Sequence, residues 1–226
     1  MTTADNSVQL QALLGMIEAD ARSTADLTGR GSFSQRVMDA VGAVPRHEFI
    51  PNDLSIAAYD NRPLPIGKGQ TISQPYIVAL MTDLLDPQPG DIVLEVGTGS
   101  GYQAAVLSLL VQQVFSTEII DSLAQAAAQR LSRLGYDNTQ IRTCDGYYGW
   151  PEEAPFDGIL ITAATPQVPP PLIEQLRPGG RLVAPLGTPY SHQTLVLLEK
   201  DANCTITVRN ILPVAFVPLT GSLGEA

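Results

Sequence analysis

Basic residues are scarce in this chain: 13 Lys and Arg stand against 23 Asp and Glu, a formal net charge of −10. Phosphate-rich partners are held by clustered cations, so the few scattered ones argue against a nucleic-acid surface. Cysteine is scarcer still, with only Cys144 and Cys204. Neither sits in a metal-type pairing, and both read as free thiols. Two histidines, His47 and His192, cannot by themselves build a metal site, so no metal is expected. No apolar run reaches the length of a membrane span. The N-terminal MTTADNSVQLQALLGMIEAD carries acids and amphipathic spacing where a secretory signal carries a basic start and an apolar block. A cytoplasmic protein with no membrane partner is therefore expected. Internal repeats and low-complexity blocks are also missing.

What is present suits one globular domain spanning 1–226. The 226 residues, 44% hydrophobic and 16% charged, suffice for one substantial α/β core and hardly for two; a monomer is expected. The chain is organised around VLEVGTGSG, Val93 to Gly101. Ile92, Val93 and Leu94 suit a buried parallel strand, and Glu95 ends the run. Gly97, Gly99 and Gly101 then alternate through a tight turn before an apolar-periodic helix. Such a turn brings a ligand close to the main chain and to the unpaired N–H groups of the helix. Nicotinamide and flavin enzymes space their glycines as G-x-G-x-x-G. The G-x-G-x-G spacing after an acid instead resembles the first motif of S-adenosylmethionine (AdoMet) methyltransferases.

Around this centre, helices are expected at Val8 to Ala21 and Ser34 to Val44, the second stopped by Pro45. The Pro/Gly-rich YDNRPLPIGKGQTISQPY reads as a binding loop without regular structure. A helix over Ser73 to Leu85, capped at Ser73 or nearby, precedes the central strand. After the glycine turn come a helix (Tyr102 to Leu110), a strand (Val114 to Ile119), a helix (Asp121 to Leu134, closed by Gly135) and a short strand (Gln140 to Cys144). Glu118 stands at a strand's carboxyl end, about twenty residues past the first glycine, where an acid can accept hydrogen bonds from ribose hydroxyls. Asp145, just past the next strand, is placed to meet an adenine amino group. A strand over Phe156 to Thr162, a helix over Pro169 to Leu176, an RPGG turn into the strand RLVAPLG, and strands Gln193 to Glu199 and Thr205 to Phe216 complete the reading. The alternation gives an α/β fold, mostly parallel with an antiparallel C-terminal edge.

Together, VPRHEFIP, YDNRPLPIGKGQTISQPY, LEVGTGSGYQAAVL, Asp145-Gly146 with Gly149-Trp150, FDGILITAA, LIEQLRPGGRLVAPLG and FVPLT resemble the protein-L-isoaspartate (D-aspartate) O-methyltransferases. The resemblance runs from about Ser34 to Thr220, leaving 1–33 as an N-terminal helical extension to a 34–226 core. It implies a Rossmann-like methyltransferase fold with a seven-stranded sheet, helices on both faces, and last strands permuted relative to other AdoMet enzymes. It implies AdoMet as cofactor and, as substrate, the carboxylate of an L-isoaspartyl or, more weakly, D-aspartyl residue in a damaged protein. By the same resemblance Ser73 matches the active-site serine and Gln74 borders the cofactor. Ser73, Gln74, Glu95, Gly97, Thr98, Gly99, Gly101, Glu118, Asp145, Gly146 and Thr220 fall in the cofactor set, and Ile72, Ser73, Val217 and Pro218 in the substrate set.

A carboxylate with a reference pKa near 4 is already ionised at neutral pH, so its methylation needs no general base. The lack of a His–Asp or Cys–His constellation agrees with this. His47 reads as structural, His192 as a surface residue and Trp150 as packing. Two other readings remain open: a relative that methylates a normal aspartate to tailor one peptide, and a non-catalytic AdoMet-binding adaptor.

Overall fold

The computed structural model describes residues 3–188 and 192–222; most of the turn expected at PYSHQ and the end of the tail lie outside them. Two helices open the chain, α1 (Thr3–Ser23) and the short α2 (Ala25–Thr28). Helix α3 (Gln35–Ala43) starts where Ser34 Oγ accepts the Val37 N–H and ends two residues before Pro45. Its buried Val37, Met38, Ala40 and Val41 form the predicted apolar stripe.

The Pro/Gly-rich segment corrects the expectation of a loop without regular structure. It contains an antiparallel hairpin, β1 (Leu64–Gly67) and β2 (Gln70–Ile72). The connection is Lys68-Gly69, with φ of 55° and 73°, the doubly left-handed two-residue turn whose twist matches paired strands. Helix α4 (Pro75–Leu85) follows. Its N-cap is Gln74, not Ser73, and no side chain caps it. Pro75 in the first turn needs no N–H partner, which makes a side-chain cap less necessary there.

Strands β3 (Ile92–Val96), β4 (Gln113–Glu118), β5 (Thr139–Thr143), β6 (Phe156–Ile161), β7 (Leu176–Gly187), β8 (Gln193–Lys200) and β9 (Ile206–Val214) form one sheet in the order β5-β4-β3-β6-β7-β8-β9. The first five are parallel, and β8 runs against both of its neighbours. Helices α5 (Tyr102–Ser108), α6 (Asp121–Arg133) and α7 (Pro170–Gln175) connect the parallel strands. RPGG is not a turn ahead of β7. Leu176 already pairs with Phe156, and the register then jumps to Gly158 opposite Arg181, so RPGG is a bulge within the strand.

Alternate strand residues feed two cores, as the period of 2 requires. Val93, Val114, Leu160, Val183 and Leu197 face α1, α3, α4, α5 and α6. Leu94, Phe115, Ile159, Leu182 and Val196 face the other side, where α7 supplies Leu172 and the chain near it Trp150 and Leu219. Helices therefore cover both faces, unevenly. Leu13, Ile17 and Ala21 of α1 are buried in the first core, so the N-terminal helix packs into the same core as the sheet. Cys144 and Cys204 are free thiols.

Candidate active site

Parallel strands leave their carboxyl ends unpaired at one edge of the sheet, and a narrow cleft opens there between the ends of β3, β4 and β6. Its floor is the turn after β3. The Gly97 and Thr98 N–H groups both donate to the Thr117 carbonyl on the neighbouring strand, which folds the turn back over β4. Gly97 has φ of 100°, and a Cβ there would stand 2.7 Å from Thr162 Oγ1, so only glycine fits. Gly146 enters equally close to the wall: a Cβ would collide with the side chain of Val96.

Glu118 ends β4, and both of its oxygens are in use. Oε2 accepts the Gly99 N–H at 2.8 Å and Oε1 the Ile120 N–H at 2.9 Å, so the carboxylate fastens the glycine turn to the start of α6. Glu95, wholly buried, accepts the Ser116 hydroxyl through Oε2, while Oε1 has no partner. Burial pushes its pKa up to about 8, against the pull of that hydroxyl. Thr98 Oγ1 lies 2.6 Å from the same Ser116 Oγ.

The chain beyond β9 returns across the cleft. Val217 O accepts the Ala164 N–H, and the Leu219 N–H donates to Ala164 O, which brings Val217, Pro218, Leu219 and Thr220 into the lining. Ser222 then donates its N–H (2.8 Å) and hydroxyl (2.7 Å) to Asp145 Oδ2, while Oδ1 takes the Tyr147 N–H. Burial raises the Asp145 pKa, but these bonds outweigh it and hold the carboxyl below the usual range. Asp145 is thus engaged by the tail at the rim, and the residue that lines the cleft is Gly146.

A second, wider chamber of ≈ 620 Å³ adjoins the cleft, a size suited to a ligand-sized group. Thr71, Ser73, Thr162 and Val217 line both. Pro63, Tyr76, Ile77, Leu212 and Phe216 make most of its walls apolar, and α1 adds Asp20. On the shared wall, the Ser73 hydroxyl and the Val217 N–H make no hydrogen bond among the described residues. The wall common to cleft and chamber thus carries two donors without a partner among the described residues.

Of the residues singled out in the sequence, Ile72, Ser73, Glu95, Gly97, Thr98, Gly99, Glu118, Gly146, Val217, Pro218 and Thr220 line the cleft together. Gln74 lines the chamber only, and Gly101 (φ 86°) packs against α6. His47 Nδ1 lies 2.7 Å from the Tyr59 hydroxyl, outside both cavities. Trp150 stacks edge-on against Phe115 with centroids 5.1 Å apart. Among the described residues no three His, Cys, Asp or Glu side chains are grouped to hold a metal ion.

Sequence reasoning passed over Arg46. Its side chain is fully buried behind Ser73: Nη2 donates to the Ser73 carbonyl at 2.8 Å, and Nε and Nη1 have no partner. The Tyr102 ring lies 4.9 Å from its guanidinium carbon, and no carboxylate pairs with it among the described residues. Burial lowers its pKa and Tyr102 partly restores it, but arginine keeps its proton in proteins. The available signal was a lone cation between Pro45 and the apolar Phe49-Ile50, in a segment judged only for its histidine. Thr162 and Tyr102, also in the lining, carried no sequence signal, because apolar strands and helices hide the polar residues that end or begin them.

The cleft fits a small, polar, cationic cofactor: glycines admit it to the main chain, two acids line it, and one acid oxygen lacks a partner. A sequence model of the protein-L-isoaspartate(D-aspartate) O-methyltransferases matches residues 24–224, ten residues further toward the N-terminus than the motifs alone reach. Protein-L-isoaspartate O-methyltransferase 2 of Syntrophobacter fumaroxidans is 60% identical over 205 residues, 91% of this chain and 83% of the relative. The enzyme of the same name from a Polaromonas species is 59% identical over 91% of this chain and 97% of its own length. A solved protein-L-isoaspartate O-methyltransferase superposes with a TM-score of 0.82 at 28% identity, covering 96% of this chain and 67% of that one. A Plasmodium falciparum structure described as a protein-L-isoaspartate O-methyltransferase in complex with S-adenosyl-L-homocysteine gives 0.74 at 25% identity, over 92% and 97% of the two chains.

Proposed function

This chain belongs to the protein-L-isoaspartate(D-aspartate) O-methyltransferase family, and on that premise we propose that Ser73 and the Val217 backbone clamp the carboxylate to be methylated. Its activity is AdoMet-dependent methylation of L-isoaspartyl residues in proteins; peptide tailoring and a non-catalytic adaptor are not favoured. The observation that carries the assignment of residues is the pair of free donors on the wall shared by cleft and chamber.

The cofactor supplies a methyl group on a cationic sulfonium. The Gly97–Gly101 turn admits it, with Thr98, Glu118, Gly146 and Thr220 around it and Asp145 at the rim. Glu95 stands buried beside it and Gln74 reaches from the chamber side. Ser73 Oγ and Val217 N–H orient the substrate carboxylate, with Ile72 and Pro218 flanking. The carboxylate oxygen held by Ser73 Oγ and the Val217 N–H would take the methyl group in a new C–O bond, with the electron pair of the broken C–S bond left on sulfur. No proton moves, so the site needs no base.

Positioning can supply several kcal/mol of such a barrier. The apolar chamber adds to it, because opposite charges neutralise one another as the bond forms. The ester then leaves the enzyme, and attack by the next backbone nitrogen expels methanol to give a succinimide, whose hydrolysis returns some normal aspartate. D-aspartyl residues are weaker substrates. The protein works as a single-domain cytoplasmic monomer without nucleic-acid or membrane partners; its net charge of −10 supports the exclusion of nucleic acid.

The test is labelled AdoMet with an isoaspartyl peptide and its aspartyl twin. Base-labile label on the first alone is expected, and label on neither refutes the reading. Ser73→Ala should lower turnover while AdoMet affinity stays within about twofold, since one hydrogen bond is removed from the carboxylate alone.

A further inference from the structure

We propose that Asp20 of α1 sets a charge preference in the substrate chamber, so that isoaspartyl sites flanked by basic residues are methylated faster than those flanked by acidic ones. The proposal rests on the assignment of that chamber to the peptide substrate.

Among the described residues that line the chamber, Asp20 is the only charged one; its companions there are apolar, hydroxyl or amide side chains. The carboxylate is held in place: Oδ2 accepts Asn61 Nδ2 at 2.8 Å, and Asn61 Oδ1 accepts the Tyr76 N–H at 3.0 Å. Thr24, at the junction of α1 and α2, ties α1 to the same wall through the Tyr76 hydroxyl at 2.6 Å. Among the described residues Asp20 has no salt bridge, and the nearby Arg62 is committed to Asp60 at 3.0 Å. A further fixed charge, Arg46, lies buried behind Ser73.

The chamber is therefore polarised. Its inner end, by Ser73, has a buried cation behind it that favours the reacting carboxylate, and its α1 side presents an anion. A peptide that delivers its isoaspartyl side chain to Ser73 brings a neighbouring residue toward Asp20. Apolar walls weaken solvent screening there, so the field of a single carboxylate is felt by that neighbour. The main chain can still be gripped whatever the sequence, which leaves the preference graded.

The experiment uses the full chain and isoaspartyl peptides that differ only in Lys, Gln or Glu at the residue before or after the isoaspartate. At the flanking position that enters the chamber, each step from Glu to Gln to Lys should raise kcat/KM about fourfold. That is the effect of two charges roughly 8 Å apart at an effective dielectric constant of about 20, screened over one Debye length. Asp20→Asn, which keeps a hydrogen-bonding group for Asn61, should compress the ordering to within about twofold, whatever it does to the absolute rates. A merely structural Asp20 would scale all peptides alike and leave their ratios unchanged. Raising salt should compress the wild-type ordering as well, a readout that needs no variant to fold. Equal rates for the wild type at both positions, or ratios untouched by Asp20→Asn, overturn the proposal. An ordering that survives in Asp20→Asn belongs to the net negative charge of the molecule and overturns it too. No label on any peptide refutes instead the functional assignment on which it rests.

Discussion

Glu95, one residue short of the end of the central strand, has one oxygen on Ser116 and the other unpartnered in a dry site, and its pKa is raised to about 8. The folded state thus holds a proton that the unfolded chain releases near the ordinary carboxylate pKa. Stability from this group is full at low pH and falls as pH climbs from about 4 toward 8. Denaturant melts at pH 5 and pH 8.5 should show the wild type losing up to roughly 3–5 kcal/mol relative to Glu95→Gln, at about 1.4 kcal/mol per pKa unit. A cationic cofactor in the same cleft favours the ionised form. Calorimetric AdoMet titrations near pH 7, in buffers of different ionisation enthalpy, should detect up to one proton released, and none in Glu95→Gln. Arg46 acts at the same scale, through the Ser73 carbonyl it holds. Arg46→Met should raise KM for an isoaspartyl peptide roughly tenfold, a cost of about 1.4 kcal/mol, with AdoMet affinity changed less than twofold. The acids of the cleft were legible in the sequence because each stands within one residue of a strand's carboxyl end. Arg46 was not, since a buried cation surrounded by carbonyls and a ring looks in sequence like a solvated one.

Among the elements, the strongly periodic ones agree with their sequence pattern to within a residue or two. Helix α3 and strands β3, β4 and β6 are set by local apolar spacing and by Pro or Gly at their ends. The hairpin β1–β2 escaped notice because strand pattern and turn chemistry compete in a segment dense with proline and glycine; pairing was decided by Lys68-Gly69 taking left-handed φ. RPGG reads locally as a turn, yet β6 pairs with both of its flanks, Leu176 and Arg181, and β8 pairs with Arg181 from the other side. Helix α1 reads from sequence as an appendage, although its amphipathic face closes on α4. Ile17, fully buried, tests this: Ile17→Ala should cost about 2–4 kcal/mol, as for a core truncation, and lower Tm by several degrees. A helix merely resting on the surface would change Tm hardly at all.

The whole molecule has a core on each face of one sheet, and both cores include residues from β3, β4, β6, β7 and β8. Thermal unfolding should therefore be a single transition with equal calorimetric and van't Hoff enthalpies. S-adenosyl-L-homocysteine at about one hundred times its Kd should add about 2.7 kcal/mol and shift that transition without splitting it. A separate low-temperature step would mark 1–33 as an independent unit.

The sequence by itself determined the order of strands and helices, the glycine turn and the acids that end the strands. Those follow from spacing of 2 or 3.6 residues, from φ preferences and from local breakers, all of which act between near neighbours in the chain. Only the tertiary structure decided that Ser73 and Val217 would share a wall, that Arg46 would stand uncompensated behind it and that Asp20 would face into the chamber. Arg46, Asp20 and Val217 stand 27, 53 and 144 residues from Ser73 along the chain, and what brings them together is the burial of two apolar sheet faces, a force that depends on area and carries no label of sequence position.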